Sequence, residues 1–305
     1  MTGASGFLGR AIVAAARRRG HEVAALSRRG GGGTVACDLG LSGAAEALTD
    51  YLRDADAIVH AAASLEGAAA QRRDTVAATR AVAASAEAAG VGRFVLISSF
   101  SVYDVAGLRD GAILAEDTAL VSLSTAPDAY AAAKRTQETM FDGAGPIATG
   151  DGPRGVETVI LRPGAIYGPG RLWSVQVGFR RGRIALCPAP EGRVPAIHVD
   201  RCAEAVARAC EGAGVPIVNL VDPDPPRRAE WARALGLSPV GLPLGPVLAA
   251  AAPLGRRRRF AARFRPLRYD DARMRTLMAD AVPPRPFVET IAADLRRDVG
   301  GGLES

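Results

Sequence analysis

The chain opens on Thr2-Gly3-Ala4-Ser5-Gly6-Phe7-Leu8-Gly9, a TGxxGxxG loop that restricts the possible folds more than any other stretch of its 305 residues. Glycines at this spacing let the backbone turn tightly and approach a pyrophosphate, while the first N–H groups of the following helix point at the anion. Such a loop belongs between a strand and a helix of a parallel α/β sheet. Its sequel fits: helical periodicity from about Phe7 to Arg19, then a strand at Glu22 to Leu26 that leads to Ser27-Arg28. That pair stands where a dinucleotide fold meets the adenosine ribose. An acidic residue there would bind a free 2′-hydroxyl, whereas Arg28, with Arg29 behind it, suits a 2′-phosphate, so NADP is expected ahead of NAD. Only Met1 precedes Thr2, so the central strand that should feed the loop is missing from the chain. A start set too late accounts for this; a sheet without that strand would leave two neighbours with unpaired backbone groups.

The first half of the chain alternates short β-rich runs with Ala-rich helical stretches, as a doubly wound parallel sheet with crossover helices requires. Strands are expected at Val35 to Cys37, Ala57 to Ala61, Phe94 to Ser98 and Val156 to Leu161. Helices are expected at Ala44 to Leu52, Ala68 to Ala89 (ended by Gly90) and Pro127 to Phe141. After Pro163 the alternation fails. A helix at Asp200 to Glu211 and a strand at Pro216 to Val221 return to the first unit, and the remainder reads as a mostly helical lobe. The predicted organisation is a nucleotide-binding domain of residues 1–164, rejoined by 196–222, with a substrate-binding lobe from 165–195 and 223–305.

A hydrophobic content of 48% with 23% charged residues is that of a folded globular chain. No apolar run reaches membrane-span length, and a cytoplasmic location with no membrane partner is expected. The cysteines Cys37, Cys187, Cys202 and Cys210 have no metal-ligand spacing, so no metal is expected. The net charge of +6 and the Arg256 to Arg259 run come without a recognition motif, which argues for a solvated basic loop and against nucleic acid.

Lys134 is the only lysine among 38 basic residues, and it stands four residues after Tyr130 on a predicted helix. Positions i and i+4 share a helix face, so ammonium and phenol are neighbours. Lys offers a compact charge with three donors where Arg offers a wide fork. At about 6 Å and an effective dielectric near 20, its attraction to a phenolate is roughly 3 kcal/mol. The spacing therefore predicts a Tyr130 pKa lowered toward the range useful for general acid–base catalysis at neutral pH.

These motifs together resemble the extended short-chain dehydrogenase/reductase superfamily, of the NAD(P)-dependent epimerase/dehydratase type, over almost the whole chain. The opening loop is similar to the family's cofactor loop, which implies contacts from Gly3, Ser5, Gly6, Phe7 and Leu8. Cys37-Asp38-Leu39 resembles the adenine-contacting segment, and Ile58-Val-His-Ala61-Ala62-Ala63 the strand that passes under the cofactor. Leu96-Ile-Ser-Ser-Phe-Ser-Val-Tyr103 is similar to the strand end that carries the catalytic Ser, here Ser99 by its distance from Tyr103, with Ser98 and Ser101 as the rival hydroxyls. Tyr130 and Lys134 match YxxxK; Leu161-Arg-Pro163-Gly-Ala-Ile166-Tyr-Gly-Pro169 matches the segment beside the nicotinamide, which implies Pro163 and Ile166 as contacts. Ile197-His-Val-Asp200, Tyr269-Asp270 and Pro284 to Thr290 match the family's later segments.

The resemblance implies that Ser99 binds the substrate oxygen, Tyr130 transfers a proton, and Lys134 binds the nicotinamide ribose and lowers the Tyr130 pKa. His198 reads as a structural residue. Departures narrow the function: Thr75 replaces a frequent Asn, Phe100 and Ser101 stand where dehydratases carry acids, and Ala165 stands where many epimerases hold substrate with Asn. The leading expectation is an NADP-dependent reductase or dehydrogenase acting on a carbonyl or secondary alcohol of a small molecule. The alternatives are a sugar-nucleotide epimerase that retains its cofactor, with Arg171 and Arg193 as candidate diphosphate clamps, and a nucleotide-sensing protein without chemistry. The family's habit of pairing through a four-helix contact implies a homodimer, and the apolar Leu242 to Leu254 stretch is a candidate pocket wall.

Overall fold

The computed structural model describes residues 1–41, 43–64, 66–141, 155–212 and 214–300. A parallel sheet carries the first half of the chain. Its order across the strands is Val35–Ala36, Leu26–Ser27, Thr2, Ala57–His60, Arg93–Ile97, Glu157–Pro163 and Ile217–Leu220. The register runs Val35, Leu26, Thr2, His60, Leu96, Ile160, Ile217. Successive side chains of a strand face opposite ways. Accordingly Val59, Val95, Ile97, Val159 and Leu161 pack on helices Phe7–Arg18 and Val199–Glu211, forming one buried core. Ile58, Phe94, Leu96 and Ile160 face the other way onto Leu48 and Leu52 of Ala44–Leu52, Val82 and Ala86 of Ala78–Ala89, and Met140 and Phe141. Both faces being covered, the strands are mostly apolar, with His60, Arg162 and Asn219 as buried exceptions, and the sheet is doubly wound as expected.

The missing central strand is replaced in part. Thr2 N–H donates to the Val59 carbonyl, and Leu26 N–H donates to the Met1 carbonyl, so Met1–Thr2 stitches the two halves of the sheet at their loop end. Residues 22–25 were expected in a strand but have little to pair with, and only Leu26–Ser27 is laddered. Below Met1 lies a cleft of about 610 Å³ between Glu22–Leu26 and Asp56–Val59, floored by Ile12, Ala16 and Ala207.

The expected helix Ala68 to Ala89 is continuous but contains a wide turn at Arg72–Ala77, and Gly90 closes it in the left-handed region at φ 69°. Beyond Pro163 the expectation of a mostly helical lobe needs correcting. Phe179–Arg181, Ile184–Pro188 and Ser238–Leu242 form a three-stranded sheet, and Ala165–Tyr167 pairs with Ala196–His198. These strands are short and rich in Arg, Pro and Gly, so their sequences lack the β-branched runs that announce strands. Trp231, buried and donating its indole N–H to the Leu172 carbonyl at 2.9 Å, packs with Tyr167 and Phe287 at the centre of this part. The Arg256 to Arg259 run is likewise not a loop: it begins the helix Arg257–Phe264, where Arg258 pairs with Asp104 and Arg259 with Asp128. No helix among the described residues is long and apolar enough to cross a membrane.

Four alternating β-branched residues placed ahead of Met1 should enter this cleft and pair with both neighbours. The expected outcome is a Tm raised by several degrees, as a gain of about 1–2 kcal/mol gives in a domain this large; an unchanged melting curve would show that the cleft does not accept a strand.

Candidate active site

The loop of Gly3 to Gly9 packs directly on the end of the Ala57–His60 strand. Gly3 lies at φ 72°, and a Cβ there would stand 2.7 Å from the Ala62 amide nitrogen; a Cβ on Gly9 would stand 2.0 Å from the Gly3 carbonyl oxygen. Glycine is required at both places, which is the close approach the sequence pattern implied. The loop forms one wall of a cleft of about 220 Å³, also lined by Arg28, Asp38, Leu39 and Ala61 to Ala63. These are the chain's nucleotide-cleft candidates, and Gly3, Ser5 and Gly6 join them there. A dinucleotide fits this donor set: Gly6 caps the Phe7–Arg18 helix without a side chain, so that helix's first N–H groups are open to a pyrophosphate. Four other candidates sit elsewhere. Leu8 and Ile166 pack against the sheet core, Pro163 is buried at its strand end, and Phe7 lies under the Arg171 guanidinium at 5.4 Å.

Arg28 reaches Asp74 at 3.1 Å, and Arg73 reaches the same carboxylate at 2.6 Å. The neighbouring guanidinium of Arg73 holds the Asp74 carboxyl below the usual carboxylate range. Two cations share one anion, and Arg28 and Asp74 line the cleft.

Tyr130 and Lys134 lie on Ala129–Thr139, a helix started by Asp128, whose carboxylate accepts the Ala131 N–H at 3.0 Å. Ser99 follows the Arg93–Ile97 strand; its Oγ accepts the Ser101 N–H at 3.1 Å, and its hydroxyl hydrogen-bonds the Tyr130 phenol. Ser99 and Tyr130 share a second cavity of about 230 Å³, with Phe100, Leu114, Leu267 and Tyr269 among its walls. The rivals have other employment or none: Ser98 is buried and donates to Glu138 at 2.5 Å, and the Ser101 hydroxyl is buried without a partner. The Lys134 ammonium, 3% exposed, donates to the Ile97 carbonyl at 2.8 Å and stands 6.0 Å from the Tyr130 ring centre.

The pKa directions correct the sequence argument. Burial raises Tyr130, with hydrogen bonding to Ser99 opposing, and Lys134 is not among the causes. Burial also lowers Lys134 to about 8, opposed by Glu138. The i, i+4 spacing gave the pair's proximity, but desolvation of a phenol that is largely covered outweighs a cation 6.0 Å from its ring.

Behind this pair lies machinery the sequence reading missed. Glu138, one turn beyond Lys134 on the same face, accepts both prongs of the Arg162 guanidinium at 2.9 and 2.7 Å, with both side chains at most 2% exposed. Arg162 also donates to the Tyr103 hydroxyl at 2.9 Å, and Tyr103 donates to Asn219 at 2.6 Å. A second buried chain links Thr2, His60, Thr79 and Gln137. Thr79 spends its one hydrogen on the Thr75 carbonyl at 2.7 Å, so it accepts from Gln137 and from His60 Nε2–H, which leaves His60 Nδ1 to accept from the Thr2 hydroxyl at 2.8 Å. Burial, aided by the Lys134 charge, pushes His60 down to about 3, so it stays neutral. The i, i+4, i+8 spacing of Tyr130, Lys134 and Glu138 was the available signal. Thr75, which stands in place of the family's Asn, donates to Gln71 at 3.0 Å. His198 caps Val199–Glu211 and bonds Asp294 at 3.1 Å, a structural role. Arg193 binds Asp224 and the Pro225 carbonyl. No residue of Leu242 to Leu254 lines the cavity at Tyr130.

A glycine loop at the carboxyl ends of a doubly wound parallel sheet is the arrangement of a Rossmann-type nucleotide-binding fold. The sequence profile of the NAD dependent epimerase/dehydratase family matches residues 1–219, and the chain belongs to that family. Among curated proteins it is 30% identical over 241 residues to a ceramide reductase of Caulobacter vibrioides (strain NA1000 / CB15N), covering 75% of this chain and 64% of that protein, less than two thirds of its length. It is 29% identical over 259 residues to a 3-diazoavenalumate denitrifying reductase of Streptomyces sp, covering 78% and 82%. A short-chain dehydrogenase/reductase superfamily protein from Agrobacterium tumefaciens, solved with bound NAD, has the same fold at a TM-score of 0.70 and 20% identity, covering 100% of this chain and 98% of that one.

Replacing Glu138 by Ala strands the Arg162 charge inside the protein. The expected loss is about 3–5 kcal/mol in denaturant unfolding; a loss under about 1 kcal/mol would mean that the pair does not hold the helix in place.

Proposed function

We propose that this protein is an NADP-dependent reductase that adds hydride to a carbonyl of a small organic molecule, with Ser99, Tyr130 and Lys134 as its reacting site. The observation that carries the reading is the placing of Ser99 and Tyr130 in one apolar-walled cavity, with a buried ammonium behind the phenol. That both curated relatives are named reductases supports it. Bound NADPH would supply the hydride to the carbonyl carbon. The Ser99 hydroxyl turns from the Tyr130 phenol to bond the carbonyl oxygen, and the Tyr130 phenol passes its proton to that oxygen as it becomes a hydroxyl. A raised phenol pKa keeps this proton in place at neutral pH, as an acid in reduction needs, and the Lys134 charge offsets the phenolate left behind. The Gly3 loop would hold the pyrophosphate.

The 2′-phosphate preference rests on Arg28, which lines the cleft and reaches Asp74 beside Arg73. In a fluorescence titration, Arg28→Ala should weaken NADPH by roughly 10- to 100-fold and leave NADH nearly unchanged, the loss of one or two charge-assisted bonds. Equal weakening of both nucleotides would remove Arg28 as the discriminating residue.

Turnover consumes NADPH in this reading, whereas an epimerase that returns its hydride leaves the absorbance constant. Tyr130→Phe should lower kcat by roughly 10²- to 10⁴-fold with NADPH affinity kept. Because Lys134 titrates near 8 and is charged below that value, the reduction rate should hold at neutral pH and fall as pH rises through about 8. A rate still climbing from pH 8 to 10 would count against both assignments.

A further inference from the structure

The cavity at Tyr130 has an electrostatic imbalance that the proposed reduction does not use. One side is apolar and aromatic: Phe100, Val105, Leu114, Leu267 and Tyr269. The other is built by the helix Arg257–Phe264 and the residue after it, which bring Arg259, Arg263 and Arg265 to the lining. Arg259 is paired with Asp128 at 3.5 Å, and Arg265 with Asp110 at 2.9 Å. Arg263 has no such partner: among the described residues its guanidinium makes no hydrogen bond within 3.5 Å and no ion pair within 4.0 Å, and only its carbonyl is engaged, by Arg228. Asp128 is the single carboxylate in the lining and already serves Arg259 and the Ala131 N–H. Burial and repulsion from Arg259 act against the Arg263 charge, with Asp128 opposing. A half-buried guanidinium held beside another cation is costly unless an anion comes to it, because five donors and a charge are then left without partners.

The space is small. About 230 Å³ is enough for a substituted ring, and Phe100 and Tyr269 supply aromatic walls beside it. A carboxylate matches the planar fork of Arg in geometry as well as charge.

We propose that the substrate reduced at Tyr130 is a carboxylic acid: an apolar, ring-sized body that carries the reacting carbonyl toward Ser99 and Tyr130 and a carboxylate that pairs with Arg263. The inference rests on the assignment of Tyr130 as the reacting end of the cavity.

The test uses a matched pair of aryl ketones, 4-acetylbenzoate and 4-methylacetophenone, which share the ring and the carbonyl and differ in the carboxylate. Binding of each to the full chain, saturated with NADPH so that the nucleotide cleft is filled, is read by calorimetry. NADPH consumption is followed separately. The wild type is expected to bind the acid at least tenfold tighter than the neutral ketone; Arg263→Gln should abolish that preference, and Arg263→Lys, which keeps the charge without the fork, should retain part of it. Unchanged thermal melting of the variants shows that they fold. Equal binding of the two ketones by the wild type, no binding of the acid, or an undiminished preference in Arg263→Gln each overturns the proposal. An Arg263-dependent preference without NADPH consumption upholds the carboxylate site and counts against the reductase reading, whereas consumption with no preference does the reverse.

Discussion

The bidentate pair between Glu138 and Arg162 ties the reacting helix to the sheet. A buried guanidinium and a buried carboxylate each cost several kcal/mol to desolvate and survive inside a protein only when the geometry is good and the remaining donors are satisfied. Both conditions hold here: Arg162 fills its other donors with the Tyr103 hydroxyl and the Glu116 carbonyl, and Glu138 takes Ser98 as a further donor. Because Glu138 stands one turn from Lys134 and Ser98 stands next to Ser99, a single ion pair fixes the two elements that carry the site in relation to one another. The pair also faces the Lys134 ammonium with a carboxylate, which offsets part of the burial that lowers its pKa.

The second constraint is neutral. Thr2, His60, Thr79 and Gln137 form a buried line of hydrogen bonds from the start of the glycine loop, across the end of the Ala57–His60 strand, to the reacting helix. His60 uses one ring nitrogen as donor to Thr79 and the other as acceptor from Thr2, so the imidazole has a single tautomer that satisfies the line. With so little of the central strand present, this line and the two backbone bonds of Met1 and Thr2 hold the glycine loop against the sheet. The loop's position therefore depends on polar bonds at the strand ends more than on the length of a strand, and the cleft below Met1 remains open beneath it.

Much of the nucleotide half was legible in the sequence, since its signals are local. A glycine loop, mostly apolar buried strands and Ala-rich helices each follow from residues within a dozen positions. The small sheet of Phe179–Arg181, Ile184–Pro188 and Ser238–Leu242 was not legible, because its strands are three to five residues long, lack runs of β-branched residues and are held by partners up to tens of residues away. The role of the Arg256 to Arg259 run was misread for a related reason: a charge cluster reads as solvated until a fold brings Asp104 and Asp128 to it. The wall of the Tyr130 cavity was sought in the apolar Leu242 to Leu254 stretch and lies instead in the Arg-rich segment that follows it.

By itself the sequence determined the class of fold, the glycine loop and the side-by-side placing of Tyr130 and Lys134, because backbone sterics and helical periodicity act over a few residues at a time. It did not determine which way the Tyr130 phenol shifts. The spacing supplied a nearby charge, but the balance belongs to burial, and burial is a property of everything packed around the ring. Only the tertiary structure decided that Glu138 would meet Arg162, that His60 would join two hydroxyls, and that the Arg263 guanidinium would line the cavity at Tyr130 without an ion pair among the described residues. These are pairings between distant segments, and no local rule fixes which distant charges a chain will bring together or leave apart.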